Sequence, residues 1–179
     1  SNTEEGQQES VEFLLGRRVD AIVLHAQQLT DDYIITLEEQ GVPVVLINRF
    51  IPEISTSCID VDNELGGKLA TQHLLKMGHR QIACITGPLD KSDARGRLQG
   101  YRIALEEAGL KYNEAMVSEA GFTEETGVSA MKKLLKRECE FTAVFASNDH
   151  MAFGAYEVLK AAGRTVPGDV SLIGFDNIL

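Results

Sequence analysis

The stretch GHRQIACITGPLDKSDARGRLQGYRIALEEAGL, Gly78 to Leu110, reads as turn, buried strand, polar loop and amphipathic helix in one unit. Gln81 to Thr86 is almost wholly apolar and short, which is the pattern of a parallel strand covered on both faces. Gly87 and Pro88 break it. Beyond Arg95 the apolar residues Leu98, Tyr101, Leu105 and Ala108 recur at steps of three and four, which predicts a helix that buries that row and stops at Gly109. In open parallel sheets ligands lie outside the carboxyl ends of the strands. The order strand, loop, Arg95, helix therefore puts Arg95 at the mouth of a site, where its planar fork suits paired oxygens.

The same strand and helix alternation extends both ways from this unit. Upstream, Glu4 to Arg18 is helical with Val11, Leu14 and Leu15 on one face, and Asp20 to Leu24 is a strand. Thr30 caps a helix that carries Asp31 and Asp32 in its first turn and ends before Gly41. PVVLIN, Pro43 to Asn48, and Ser57 to Asp62 are further strands. Asn63 opens a helix expected to turn Leu65, Leu69, Leu74 and Met77 inward before Gly78. Downstream, Met116 to Ala120 is a short strand, Thr123-x-x-Thr126 starts a helix, and FTAVFA, Phe141 to Ala146, is a buried strand. Asn148 caps a helix running to Ala162, and VSLIGFD, Val170 to Asp176, closes the series. Repeated βα units imply an α/β fold with parallel strands and helices on both faces.

Charge and composition narrow the function. The 179 residues are 44% hydrophobic, with net charge -10 and a sequence pI near 4.8. That is long enough for a substantial core, and the acidic balance argues against direct nucleic-acid binding by this segment. No apolar run approaches the roughly 20 residues of a membrane span, and no signal peptide opens the sequence. Cys58, Cys84 and Cys139 lie far apart without Cys-x-x-Cys spacing, the usage of reduced thiols in a cytoplasmic protein.

Motifs for chemistry fail on spacing. Asp60-Val-Asp62-Asn63-Glu64 begins like a calcium loop, but Leu65 occupies the glycine position and Thr71 the twelfth. Gly66-Gly67-Lys68 is followed by Leu69 where a phosphate loop needs Ser or Thr. His25, His73, His79 and His150 have no metal spacing, and neither a G-x-S-x-G elbow nor an H-E-x-x-H pair is present. The reading is of no catalytic residue, no metal and no cofactor.

Six blocks, VDAIVLHA (19–26), PVVLINR (43–49), VDNELGGKLATQHLLKMGHRQIACITGP (61–88), ARGRLQGYRIAL (94–105), TAVFASNDHMAFGA (142–155) and VPGDVSLIGFDN (166–177), resemble in order the effector-binding core of the lactose/galactose repressor family. LHAQQLTDD and VLINRFIP are most similar to its galactose-type members. The resemblance implies two doubly wound, Rossmann-like subdomains of the periplasmic-binding-protein type. These are residues 1–62, the remaining part of the N-terminal subdomain, and 63–179, the C-terminal subdomain. It implies truncation at both ends, an effector in the inter-subdomain cleft, a homodimer, and a DNA-binding helix-turn-helix headpiece outside this chain. By position it carries over His25, Asn48, Arg95, Phe122, Asn148 and Asp176 as effector contacts.

Five of these six residues also have a plain structural reading. Arg95 can pair with Asp90 or Asp93, Phe122 can be core, Asn148 can serve only as a helix cap, Asp176 can hold a turn, and His25 can simply end a strand. A sugar suits the set, since carboxylate, amide and guanidinium meet adjacent hydroxyls and a ring covers the C–H face. The neutral His25 and Asn48 favour an uncharged ligand over a phosphate ester. A hexose such as galactose is the expected effector of a cytoplasmic transcriptional regulator, with a purine stacked on Phe122 as the competing ligand. The alternative function is a periplasmic sugar receptor for transport or chemotaxis.

Overall fold

The computed structural model describes residues 3–25, 29–53, 57–137 and 139–178. The chain divides into two compact units, residues 1–61 and 62–179. In the first, α1 (Glu4–Gly16), β1 (Ile22–Leu24), α2 (Asp31–Glu39), β2 (Val44–Ile47) and β3 (Ser57–Ile59) alternate, and the strands run parallel in the order β1-β2-β3. Val11, Ile34 and Leu37 from the helices meet Ile22, Leu24, Val44 and Leu46 on one face of the sheet. Phe13 and Leu14 of α1 stay exposed, so only part of the apolar face read from sequence is buried. Thr30 caps α2 as its position predicts, accepting from the Tyr33 amide at 3.3 Å.

The second unit holds α3 (Asn63–Lys76), β4 (Ile82–Thr86), α4 (Ser92–Glu107), β5 (Val117–Glu119), α5 (Glu124–Lys136), β6 (Ala143–Ala146), α6 (Asp149–Ala161) and β7 (Ser171–Ile173). Its four strands are parallel in the order β5-β4-β6-β7. Both faces are covered, and β4 alternates between them. Ile82 and Cys84 join Leu98, Tyr101 and Leu105 of α4, while Ala83 and Ile85 join Met131 and Met151 of α5 and α6. Every residue of β4 is buried, as a central parallel strand requires. Burial pushes the Cys84 thiol up, so it behaves as a small hydrophobe.

Two helix readings need correction. Of the α3 row expected to face inward, only Leu74 is buried; Leu65, Leu69 and Met77 are 48%, 54% and 61% exposed. The face that α3 turns to α4 is instead Asn63, Gly67, Thr71 and Leu74. Small residues there let the two backbones touch: a Cβ added at Gly67 would stand 2.1 Å from the Arg97 carbonyl oxygen. Close approach outweighs a leucine stripe because backbone contact is lost if either partner is bulky. In α4, Ala108 is the exposed C-cap and not core, and the helix starts at Ser92, so Arg95 stands within its first turns and not ahead of it. Among the described residues no helix is long and apolar enough to cross a membrane, and no cluster of His, Cys, Asp or Glu could hold a metal ion.

Candidate functional site

The carboxyl end of the four-stranded sheet gathers polar groups from four elements of the second unit. Past β6, Ser147 links two strand ends: its Oγ donates to the Ile85 carbonyl at 3.0 Å and accepts from the Gly87 amide at 3.1 Å. Asn148 follows, and both ends of its amide are engaged. Its Oδ1 accepts from the Met151 amide at 2.9 Å, which caps α6, and its Nδ2 donates to the Phe122 carbonyl at 2.9 Å. The plain reading of Asn148 as a cap is thus correct and incomplete, because the same side chain fixes the loop that bears Phe122. Phe122 sits at φ +64 with its ring across Gly87, where an added Cβ would come within 2.2 Å of it.

Arg97 is the buried cation of this region, at 8% exposure. Its Nε donates to Asn63 Oδ1 at 2.9 Å and its Nη1 to the Ser147 carbonyl at 2.5 Å. Nη2 lies 3.7 Å from Asp176 Oδ1, and the guanidinium carbon is 3.9 Å from the centre of the Phe175 ring. Arg95 is placed differently. It is exposed, and its Nη1 donates to the Leu89 carbonyl at 3.0 Å, a contact with the loop that precedes α4 and with neither Asp90 nor Asp93. Of the two neighbouring arginines, the one that the sequence reading named as a contact, Arg95, is exposed, and the one that it did not name, Arg97, is buried. The signal was present: Ala94, Leu98 and Tyr101 are core, and position 97 falls on their side of the helix while position 95 does not.

Asp176 takes φ +100 and Asn177 φ +58, a sharp turn after β7. The turn is pinned by Asp149, whose Oδ2 accepts from the Ile178 amide at 2.9 Å. Burial pushes the Asp176 carboxyl above the usual carboxylate range; Arg97 opposes this, and Asp149 and Asp93 reinforce it. A carboxyl that holds its proton more tightly folded than unfolded favours the fold at low pH, and that contribution is lost as pH rises through the raised value. Asp176→Asn is accordingly expected to melt progressively higher than the parent as pH rises from about 4 to 7. Thermal melts across that range check it, and a pH-independent difference would refute the cause given.

The first unit presents its own two candidates. His25 follows β1 and is exposed, and Asn48 follows β2 at φ +56, its amide donating to the Ile59 carbonyl at 2.9 Å. Beside it Arg49 pairs with Asp31 and donates to the Leu29 carbonyl at 2.6 Å, which ties the loop after β2 to the start of α2. Residues 26–28, part of the string LHAQQLTDD, lie outside the described residues.

In the second unit, then, Phe122, Asn148 and Asp176 surround one sheet end together with Arg97, which the sequence reading missed. Arg97 and Asp176 nearly cancel in charge, so the region suits a neutral polyol that can both donate to the carboxylate and accept from the guanidinium.

A sequence profile described as periplasmic binding proteins and sugar binding domain of LacI family matches residues 1–178. The chain is similar to the HTH-type transcriptional regulator CelR of Thermobifida fusca, with 45% identity over 92% of this chain and 49% of that protein. It is similar to the HTH-type transcriptional regulator GalR of Escherichia coli, with 41% identity over 99% of this chain and 52% of that protein. It thus spans about half the length of the curated relatives it matches. Among solved structures, the CelR–cellobiose complex superimposes with TM-score 0.84 at 43% identity, covering 95% of this chain and 53% of that one. A sugar-binding LacI-family regulator from Escherichia coli, complexed with phosphate, gives TM-score 0.87 at 33% identity over 98% of this chain and 64% of that one.

Proposed function

Because this chain belongs to the family of periplasmic binding proteins and LacI-type sugar binding domains, we propose that it is the effector-binding core of a DNA-binding transcriptional regulator. Its two units, residues 1–61 and 62–179, serve as N-terminal and C-terminal effector-binding subdomains. The effector is a small neutral sugar, a hexose or a glycoside built from one. The observation that carries this is the buried Arg97 beside Asp176 at a sheet end that also holds Phe122 and Asn148. Arg97 offsets Asp176 but leaves Asp149 beside it, so a phosphate ester would bring its own charge against these carboxylates, whereas a sugar meets donor and acceptor alike.

Within the second unit Arg97, Phe122, Asn148 and Asp176 contact the effector. Arg97 takes the role that the sequence reading gave to Arg95. His25 and Asn48 are the effector contacts of the first unit. The regulator works as a cytoplasmic homodimer whose helix-turn-helix part binds DNA, and effector binding shifts the population of DNA-binding conformations by differential affinity. The named relatives, which are HTH-type transcriptional regulators, support this over a transport receptor, and the CelR–cellobiose complex supports a sugar over a purine.

Thermal unfolding against D-galactose, cellobiose, a galactose phosphate and hypoxanthine tests the reading. A ligand at 100 times its dissociation constant adds about 2.7 kcal/mol. The expected result is stabilisation by a neutral sugar alone. Stabilisation by hypoxanthine, or by the phosphate ester in preference to the free sugars, would overturn it.

A further inference from the structure

The hydrogen bonds of Arg97 lead away from the sheet end to a residue that the effector itself need not touch. Asn63 is the first residue of α3 and the second residue of its unit, directly after Asp62, whose Oδ1 accepts from the Leu65 amide at 2.9 Å and caps the helix. Asn63 is 8% exposed, and its Cβ is seated so close to α4 that a Cβ at Gly96 would lie 2.8 Å from it. From that seat Oδ1 accepts from Arg97 Nε at 2.9 Å.

An arginine has five N–H donors in a rigid fork, so fixing Nε and one terminal nitrogen fixes the plane of all of them. Nε is held by Asn63 and Nη1 by the Ser147 carbonyl, which leaves Nη2 directed toward Asp176. The Phe175 ring under the guanidinium allows sliding within that plane, because a ring face has no hydrogen-bond direction of its own. The Ser147 carbonyl alone is one point of attachment and permits rotation about it. Asn63 is the second point.

We propose that Asn63 is a positioning residue for effector recognition, setting the plane of the Arg97 guanidinium from the first turn of α3. The inference rests on the effector reading above and adds to it a residue outside the ligand contacts. It also places the registration of the site on the segment where the chain passes from the first unit into the second, so that an effector which draws on Arg97 acts on that segment through the Asn63–Arg97 hydrogen bond.

The test compares Asn63→Leu, which removes the acceptor at similar bulk, with Asn63→Asp, which keeps Oδ1. Each is titrated by NMR with D-galactose and with cellobiose, in the parent and in an Arg97→Ala background. Asn63→Leu is expected to weaken the sugar that the parent binds by roughly 10-fold, the size of a lost charge-assisted hydrogen bond. Asn63→Asp is expected to stay within about 3-fold, and in the Arg97→Ala background Asn63→Leu is expected to cost no further affinity. Asn63→Ala serves in the same cycle should the leucine variant not fold. Unchanged affinity in Asn63→Leu or Asn63→Ala, or an equal loss with and without Arg97, would overturn the proposal, since a merely structural role lowers both backgrounds alike. A parent that binds neither sugar overturns the effector reading and this inference with it, and is told apart by failing before any substitution is made.

Discussion

Arg97→Ala is expected to weaken sugar binding by about 100-fold or more, while Arg95→Ala stays within about 2-fold of the parent. The two residues are two positions apart on one helix, so they differ by about 200° in direction. Arg97 falls on the buried side, with partners at Asn63, Ser147, Asp176 and the Phe175 ring. Arg95 falls on the exposed side, bonded to the Leu89 carbonyl of the loop before the helix. Two effects add in Arg97→Ala. The ligand loses a forked donor, and Asp176 loses the cation that most opposes the rise of its carboxyl, which leaves burial, Asp149 and Asp93 less opposed. A carboxyl driven toward its neutral form is a poorer acceptor for sugar hydroxyls. Calorimetric titration of D-galactose and cellobiose into both variants decides the matter, and equal losses in the two would show that the buried arginine has no special part.

The start of α4 shows where sequence alone stops. Helix starts with a side-chain cap were readable, because the signal is local: Thr30, Thr123 and Asn148 each precede an acidic first turn and each makes its capping bond. The start of α4 has no such signal, since Lys91 occupies its N-cap without a side-chain hydrogen bond. The sequence pattern therefore starts α4 too late and sets Arg95 ahead of it, whereas Arg95 lies within the helix. The parallel β-strands were legible for a comparable reason. Burial on both faces makes a run such as Ile82 to Thr86 apolar throughout, which a single sequence displays directly. Phe122, Asn148 and Asp176 came from the family resemblance and from no local pattern; each follows a strand, and the structure brings them to one sheet end. What no local pattern displays is which residues of two helices touch across their backbones, and there the hydrophobic row of α3 misled.

That contact carries the largest stability effect. Gly67→Ala is expected to destabilise the second unit by about 3 kcal/mol, against the ~1 kcal/mol that alanine gains over glycine inside an unconstrained helix. The added Cβ would lie 2.1 Å from the Arg97 carbonyl oxygen and 2.8 Å from the Arg97 Cα, so the obstacle is backbone that cannot rotate aside. The reciprocal contact is as tight, with a Cβ at Gly100 falling 2.0 Å from the Glu64 carbonyl oxygen. With a glycine of each helix facing the other's backbone, neither side has room for a Cβ unless the two helices move apart. The pair α5 and α6 repeats the arrangement, Gly127 against Met151 and Gly154 against the Glu124 carbonyl. Gly16→Ala in α1, where nothing lies within 4 Å of the added Cβ, supplies the opposite sign and is expected to stabilise slightly. Chemical denaturation of the three proteins measures both. Because the atom struck by Gly67→Ala belongs to Arg97, the same variant is expected to lose sugar affinity beyond what its lower stability explains at saturating fold. A Gly67→Ala protein as stable as the parent would mean that α3 and α4 can separate freely, and would remove the reason for small residues on that face.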